Sequence, residues 1–190
     1  MKDEPALLRA AKKLDRDALA VIFDLYAPPI YTYVLRLCHN PIDSDRLVGN
    51  VFAQFLEKLA TGQGPLTNLR SYLYKIAYHL VVDQARRSKR VDTVEGVIDM
   101  PNKVVSAPTQ ASAEERVLME EMVLTVNNEL SELQRHVIIL RFFEDFSLGE
   151  TAAIIGKKLN NVKVIQNRGV AKLQKRLEIR FKSDSKNVFS

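Results

Sequence analysis

The sequence predicts an all-α protein: two small helical domains joined by a flexible linker, the second containing a helix-turn-helix. Three observations predict it. Apolar residues recur at helical spacing through most of the chain on either side of residues 92–112. Ser131-Glu132-Leu133-Gln134 and Ser147-Leu148-Gly149-Glu150 both have capping-box form, in which a hydroxyl accepts a backbone N–H one turn on and the Glu or Gln reaches back. Between the helical stretches, Asp92 to Ala113 carries Pro101 and Pro108, several Ser and Thr, and no apolar periodicity, which reads as a linker.

In chain order, Asp15 or Asp17 starts a helix with Leu19, Ile22, Phe23 and Tyr26 on one face. Pro28-Pro29 is expected to interrupt it and to open a second helix bearing Ile30, Tyr33, Val34 and Leu37. Asn40-Pro41 marks a turn, after which Asp43 is expected to cap a helix with Leu47, Val48, Val51, Phe52, Phe55, Leu56 and Leu59 inward. Thr61 to Asn68, with Gly62, Gly64 and Pro65, reads as a loop. The following helix has one apolar stripe: Leu69, Tyr72, Leu73, Ile76, Ala77, Leu80 and Val81. Its other face presents Arg70, Tyr74, Lys75, Tyr78, His79, Asp83, Arg86 and Arg87. Tyrosines interleaved with cations suit an unstacked single strand, with rings on bases and charges on phosphates. The pattern itself favours Tyr74 and Tyr78 as core or half-buried structural residues, which is common for tyrosine.

Helix resumes near Ala113 and runs towards Leu130, with Val117, Leu118, Met122 and Val126 as its inner face. The first capping box then opens the run Val137-Ile138-Ile139-Leu140, ending at Phe142-Phe143. The second opens Leu148, Ala152, Ile154 and Ile155, and Gly156 can take the positive φ of a tight turn. Asn160 or Asn161 can cap a third helix, whose inward stripe is Val162, Ile165, Gly169, Leu173 and Leu177. Its outward face carries Asn160, Asn161, Lys163, Val164, Asn167, Arg168 and Lys172. Amides and cations on such a face can pair with base edges in a major groove, while others hold phosphates. An ordinary helical hairpin with a solvated basic face has the same spacing. The tail from Ser183 to Ser190 reads as frayed.

Charge supports a polyanion as partner. The net charge is only +5, but it is unevenly spread. Six cations lie between Arg70 and Arg90 against Asp83 alone, and nine between Lys157 and Lys182 against Glu178 alone. The span Asp92 to Glu132 has nine acids against Lys103 and Arg116. Two basic surfaces with an acidic spacer point to two contacts with one polyanion. Cys38, the one cysteine, rules out an internal disulfide and reads as a buried structural thiol. His39, His79 and His136 are isolated from other ligand-type residues, so no metal and no cofactor is expected. No signal peptide and no membrane-length apolar run is read, which predicts a cytoplasmic protein without membrane insertion. No paired carboxylates, nucleophile with an adjacent base, or phosphate-cradling glycine loop points to an enzyme.

Leu69-Arg70-Ser71-Tyr72-Leu73-Tyr74-Lys75-Ile76-Ala77-Tyr78-His79, with Val82-Asp83 and Arg86-Arg87 after it, resembles the promoter-melting helix of a bacterial RNA polymerase sigma factor. Leu130 to Leu173 is similar to that family's helix-turn-helix domain, and the order of motifs fits the small extracytoplasmic-function (ECF) type. The resemblance implies a sigma-2-like domain over residues 1–91, a linker over 92–112, a sigma-4-like domain over 113–182 and a tail over 183–190. It implies that Arg70, Lys75, Tyr78, His79, Asp83, Arg86 and Arg87 meet the minus-ten element as a single strand. It places Asn160, Asn161, Lys163, Val164, Asn167, Arg168 and Lys172 on the minus-thirty-five duplex. It assigns core polymerase docking to Asp45, Leu47, Val48, Asn50, Val51 and Phe52, although Arg46, Gly49 and Asn50 depart from the family's acidic docking face. The loop Thr61 to Asn68 matches the one that captures a flipped base. The implied partners are core RNA polymerase and promoter DNA, and an anti-sigma factor is a common family partner. A helix-turn-helix regulator that works without polymerase is the other reading of the same residues.

Overall fold

The computed structural model describes residues 4–65, 67–92 and 113–187. The expected linker, apart from Asp92, and the last three residues of the expected tail lie outside them. The chain divides into two compact units, each built only of helices among the described residues.

The first unit contains α1 (Glu4–Ala11), α2 (Arg16–Cys38), α3 (Pro41–Ala60) and α4 (Leu69–Asp92). Asp15 is the cap of α2, its carboxylate accepting from the Ala18 N–H at 2.9 Å. Contrary to expectation, Pro28-Pro29 does not break the helix, and α2 runs through both prolines. Two backbone N–H groups are thereby missing, those that would bond to the carbonyls of Asp24 and Leu25. Burial on both sides of the pair offsets the loss: Ile22, Ile30, Tyr33 and Val34 are all fully buried. The helix ends at His39 in the left-handed region, whose N–H donates to the Leu35 carbonyl.

A second correction concerns the next cap. Asn40, not Asp43, starts α3: its side chain accepts from the N–H groups of Ile42 and Asp43, and Pro41 occupies the first helical position. Helices α2, α3 and α4 pack on one another, and α1 lies on α2. The core they share is formed by Ile22, Ile30, Tyr33, Leu47, Val51, Phe55, Leu69, Leu73, Tyr74 and Ala77. By length and composition α2 is apolar enough to cross a membrane, which the sequence reading did not foresee. Its apolar side is instead spent on this core.

The second unit contains α5 (Ala113–Glu129), α6 (Glu132–Ile138), a π-helical turn (Ile139–Phe143), α7 (Leu148–Ile155) and α8 (Leu159–Asn187). The side of α5 that is buried consists of Val123 and Val126, followed by Leu130. Of the residues expected to face inward, Val126 is buried, Val117 and Met122 are exposed because Val123 takes the inner position beside Met122, and the Leu118 side chain lies outside the described residues. Both capping boxes form. Gln134 accepts from the Ser131 N–H, while Ser147 Oγ accepts from the Glu150 N–H and Glu150 accepts from the Ser147 N–H. Gly156 has φ +65° and ends α7, as the turn requires. Neither Asn160 nor Asn161 caps α8. Leu159 is the first helical residue, and the Lys158 carbonyl accepts from Asn161 and Val162, leaving both asparagines in the first turn. α8 continues through most of the expected tail, to Asn187.

Candidate nucleic-acid interface

α8 sorts its residues cleanly. Val162 and Gly169 are buried, and Ile165 and Leu173 are half-buried. Gly169 is there for closeness: a Cβ at that position would stand 3.2 Å from Ile138 Cγ1. Asn160, Asn161, Lys163, Val164, Asn167, Arg168 and Lys172 are all exposed, and the helix geometry puts them on one side. α8 is seated on α6 and α5, and Arg176 reaches Glu129 of α5 at 3.0 Å.

Two residues absent from the sequence-based site, Arg141 and Gln166, join α8 to the rest of the unit. Arg141, in the π-helical turn, donates from Nε to Gln166 Oε1 at 2.9 Å and from a terminal nitrogen to the Phe146 carbonyl. One guanidinium thus connects the turn after α6, the segment before α7 and the second turn of α8. The partners are twenty-five positions apart in the chain, so no local spacing reveals the pair. His136 in α6 is almost completely buried. Burial, with the Arg135 charge adding to it, lowers its pKa to about 3, so the ring packs as a neutral group.

On α4 the expected strand-facing residues fall into two groups. Lys75, His79, Asp83, Arg86 and Arg87 are exposed, whereas Arg70 and Tyr78 are half-buried. Tyr78 meets His79 with ring centroids 5.3 Å apart. Tyr74, read as part of the outer face, has no exposure and packs its ring 5.2 Å from that of Tyr33. The structural reading of Tyr74 is therefore the correct one. Arg70 lies over the Tyr74 ring, 5.6 Å from its centroid. The helix begins with a distant contact, Glu4 of α1 accepting from the Leu69 N–H at 3.1 Å. The loop before it contains Gly62 and Asn68 with positive φ.

The six residues expected to dock polymerase separate as well. Leu47, Val48, Val51 and Phe52 are buried and hold α3 in place, so they are not available as a contact surface. The correction follows from helical period: the apolar core of that motif faces inward, leaving Asp45, Arg46, Gly49, Asn50 and Ala53 on the exposed side. Arg46 pairs with Asp43 at 2.7 Å, which locally compensates its charge. Burial raises the pKa of Cys38 to about 11, with Asp43 contributing, which suits a structural thiol. Among the described residues no group of acids, histidines or cysteine could hold a metal.

The chain matches the family models for Sigma-70 region 2 over residues 22–91 and Sigma-70, region 4, over residues 128–175, together more than half its length. It is 26% identical over 172 residues to the ECF RNA polymerase sigma factor BldN of Streptomyces coelicolor, an alignment covering 90% of this chain and 64% of that one. It is 25% identical over 167 residues to the ECF RNA polymerase sigma factor SigX of Bacillus subtilis, covering 86% and 85%. Among solved structures it resembles RpoE of Bartonella quintana, bound there to the anti-sigma factor NepR, with a TM-score of 0.68, 24% identity and coverage of 84% and 96%. CnrH, in complex with the cytosolic domain of CnrY, gives a TM-score of 0.68 at 19% identity, covering 92% and 97%. Two helical units matching regions 2 and 4 in family order, with relatives of similar length and the same type, make this chain a member of the sigma-70 family, of the ECF type.

Proposed function

We propose that this sigma factor works through three separate faces, one for polymerase and two for promoter DNA. The observation that carries the proposal is the single exposed side of α8, where seven amide, basic and apolar residues stand clear of the core. Asn160, Asn161, Lys163, Val164, Asn167, Arg168 and Lys172 read and hold the minus-thirty-five duplex, with Val164 suited to a thymine methyl. Lys75, His79, Asp83, Arg86 and Arg87, with half-buried Arg70 and Tyr78, hold the melted minus-ten strand. Those contacts offset the cost of unstacking and extruding a base, on the order of a few kcal/mol. Core polymerase meets the exposed side of α3 through Asp45, Asn50 and their neighbours, with Leu47, Val48, Val51 and Phe52 supporting that side from beneath.

The protein contributes binding and positioning; the polymerase supplies the covalent chemistry. It therefore acts in the cytoplasm, and an anti-sigma factor is its expected regulator. Run-off transcription with purified core polymerase on a genomic fragment library tests the whole reading. Discrete start sites that depend on the protein are expected. Duplex binding with neither transcripts nor core binding would leave a polymerase-independent regulator.

A further inference from the structure

Arg141 is half-buried at the seam between the π-helical turn and α8, and its charge has no carboxylate partner among the described residues. Its two acceptors, the Gln166 amide oxygen and the Phe146 carbonyl, are both neutral. A partly desolvated guanidinium is ordinarily paired with an acid, because burial without compensation is costly. Here an amide holds it in place and leaves the full charge standing. Gln166 is also one helical turn from Lys163 on the same side of α8, at the border of the exposed recognition face. Gln166 Oε1 already accepts from Arg141, so one of its two lone pairs is engaged within the protein. Its role is therefore directed inward, towards the cation.

We propose that Gln166 is a positioning residue for DNA binding: its neutral side-chain carbonyl fixes the Arg141 guanidinium, unneutralised, beside α8, where the remaining N–H donors engage a duplex phosphate. This rests on the reading of α8 as the duplex-binding helix. The choice of amide over carboxylate is then functional. Glutamate would hold the guanidinium equally well and cancel its charge. An apolar residue would fill the same space and let the guanidinium turn away.

The test uses the full chain and a mixed-sequence duplex of about thirty base pairs, with affinity followed from about 50 to 200 mM salt, the range over which phosphate contacts are read out. Gln166→Glu is expected to weaken binding about tenfold at the low-salt end and to reduce the log–log salt slope by about one, the signature of one lost phosphate contact. Gln166→Leu is expected to weaken binding severalfold with thermal unfolding unchanged. In an Arg141→Ala background, Gln166→Glu should add little further loss, because the two act through one contact. Lys163→Ala serves as the control for the underlying reading. If it weakens binding and Gln166→Glu leaves the slope unchanged, the positioning role is overturned. An equal loss from Gln166→Glu with and without Arg141 would also overturn it, since the added charge would then act alone. No loss from Lys163→Ala would instead remove the duplex-facing assignment of α8, and this inference with it.

Discussion

Helices α4 and α8 are both basic and both ride on a buried apolar stripe, yet they commit their other side differently. On α8 none of the seven outward side chains is held by another described residue, so the face is free of structural duty. On α4 the first turns are built into the core: Tyr74 is completely buried against Tyr33, and Arg70 is spread over the Tyr74 ring. The difference fits the two tasks proposed for these helices. Reading an intact duplex needs a projecting row of polar groups, while gripping an unstacked strand needs a rigid platform beneath the contacts.

The largest expected effect would break the comparison at its base. Tyr74→Ala removes a buried ring and should destabilise the first unit by about 3–5 kcal/mol. Chemical denaturation should show it. A normal midpoint with impaired strand binding would mean that the ring faces nucleic acid after all. Next comes the α8 face. Combining Lys163→Ala with Arg168→Glu should weaken promoter duplex binding on the order of a hundredfold with unfolding unaltered, since exposed substitutions of this kind cost little stability. Unchanged affinity would sink the recognition-helix assignment.

The units should also differ in acid. An unfolded histidine takes up a proton near pH 6.5, but buried His136 does not until about pH 3. Between those values the unfolded state holds the extra proton. His136 therefore withdraws stability from the second unit as pH falls through that window, by at most about 1.4 kcal/mol per pH unit. Its contribution is fully present above the window. Unfolding followed between pH 7 and 4 for the wild type and for His136→Leu measures it, and identical pH slopes would contradict the assignment.

Smaller effects sharpen the division of labour. His79→Ala should reduce permanganate-reactive open complexes severalfold while leaving closed duplex binding intact; equal losses in both assays would argue against a melting role. Smallest is Gly49→Ala. The added methyl would meet nothing within 4 Å, so the helix should gain about 0.5–1 kcal/mol. A fall in core polymerase affinity for that variant would show that the polymerase approaches the α3 backbone closely at this point.

Much of the fold was legible because its signals are local. A serine three residues before a Glu or Gln, a glycine after an apolar run, and apolar stripes at helical period identify the starts of α6, α7 and α8 and the end of α7 to within a residue or two, whereas α8 runs five residues into the stretch read as a frayed tail. The readings that failed needed knowledge of neighbours. Pro28-Pro29 ends an isolated helix but not one held at both ends by Ile22, Ile30 and Val34. Met122 has the right period for an inner face, yet the neighbouring Val123 is the residue that packs inward. For the interface, period alone separates the exposed Lys163 and Arg168 from buried Val162. It could not tell a tyrosine on the rim, Tyr78, from one in the core, Tyr74, because both lie off the main stripe. The Arg141–Gln166 link was invisible for a different reason: hydrogen bonds between distant residues leave no periodic trace.

The freedom of the α8 face has an evolutionary consequence. Gly156 fixes the turn into the helix and Gly169 fixes its approach to Ile138, so the geometry rests on two residues that side chains cannot readily replace. The outward residues carry no such obligation. With that face reading the promoter as proposed, promoter preference can drift, or be redesigned one position at a time, on a scaffold that remains folded throughout. A duplicated copy of this protein could acquire its own set of target genes by changing only the letters it reads, long before any change in how it stands on the polymerase.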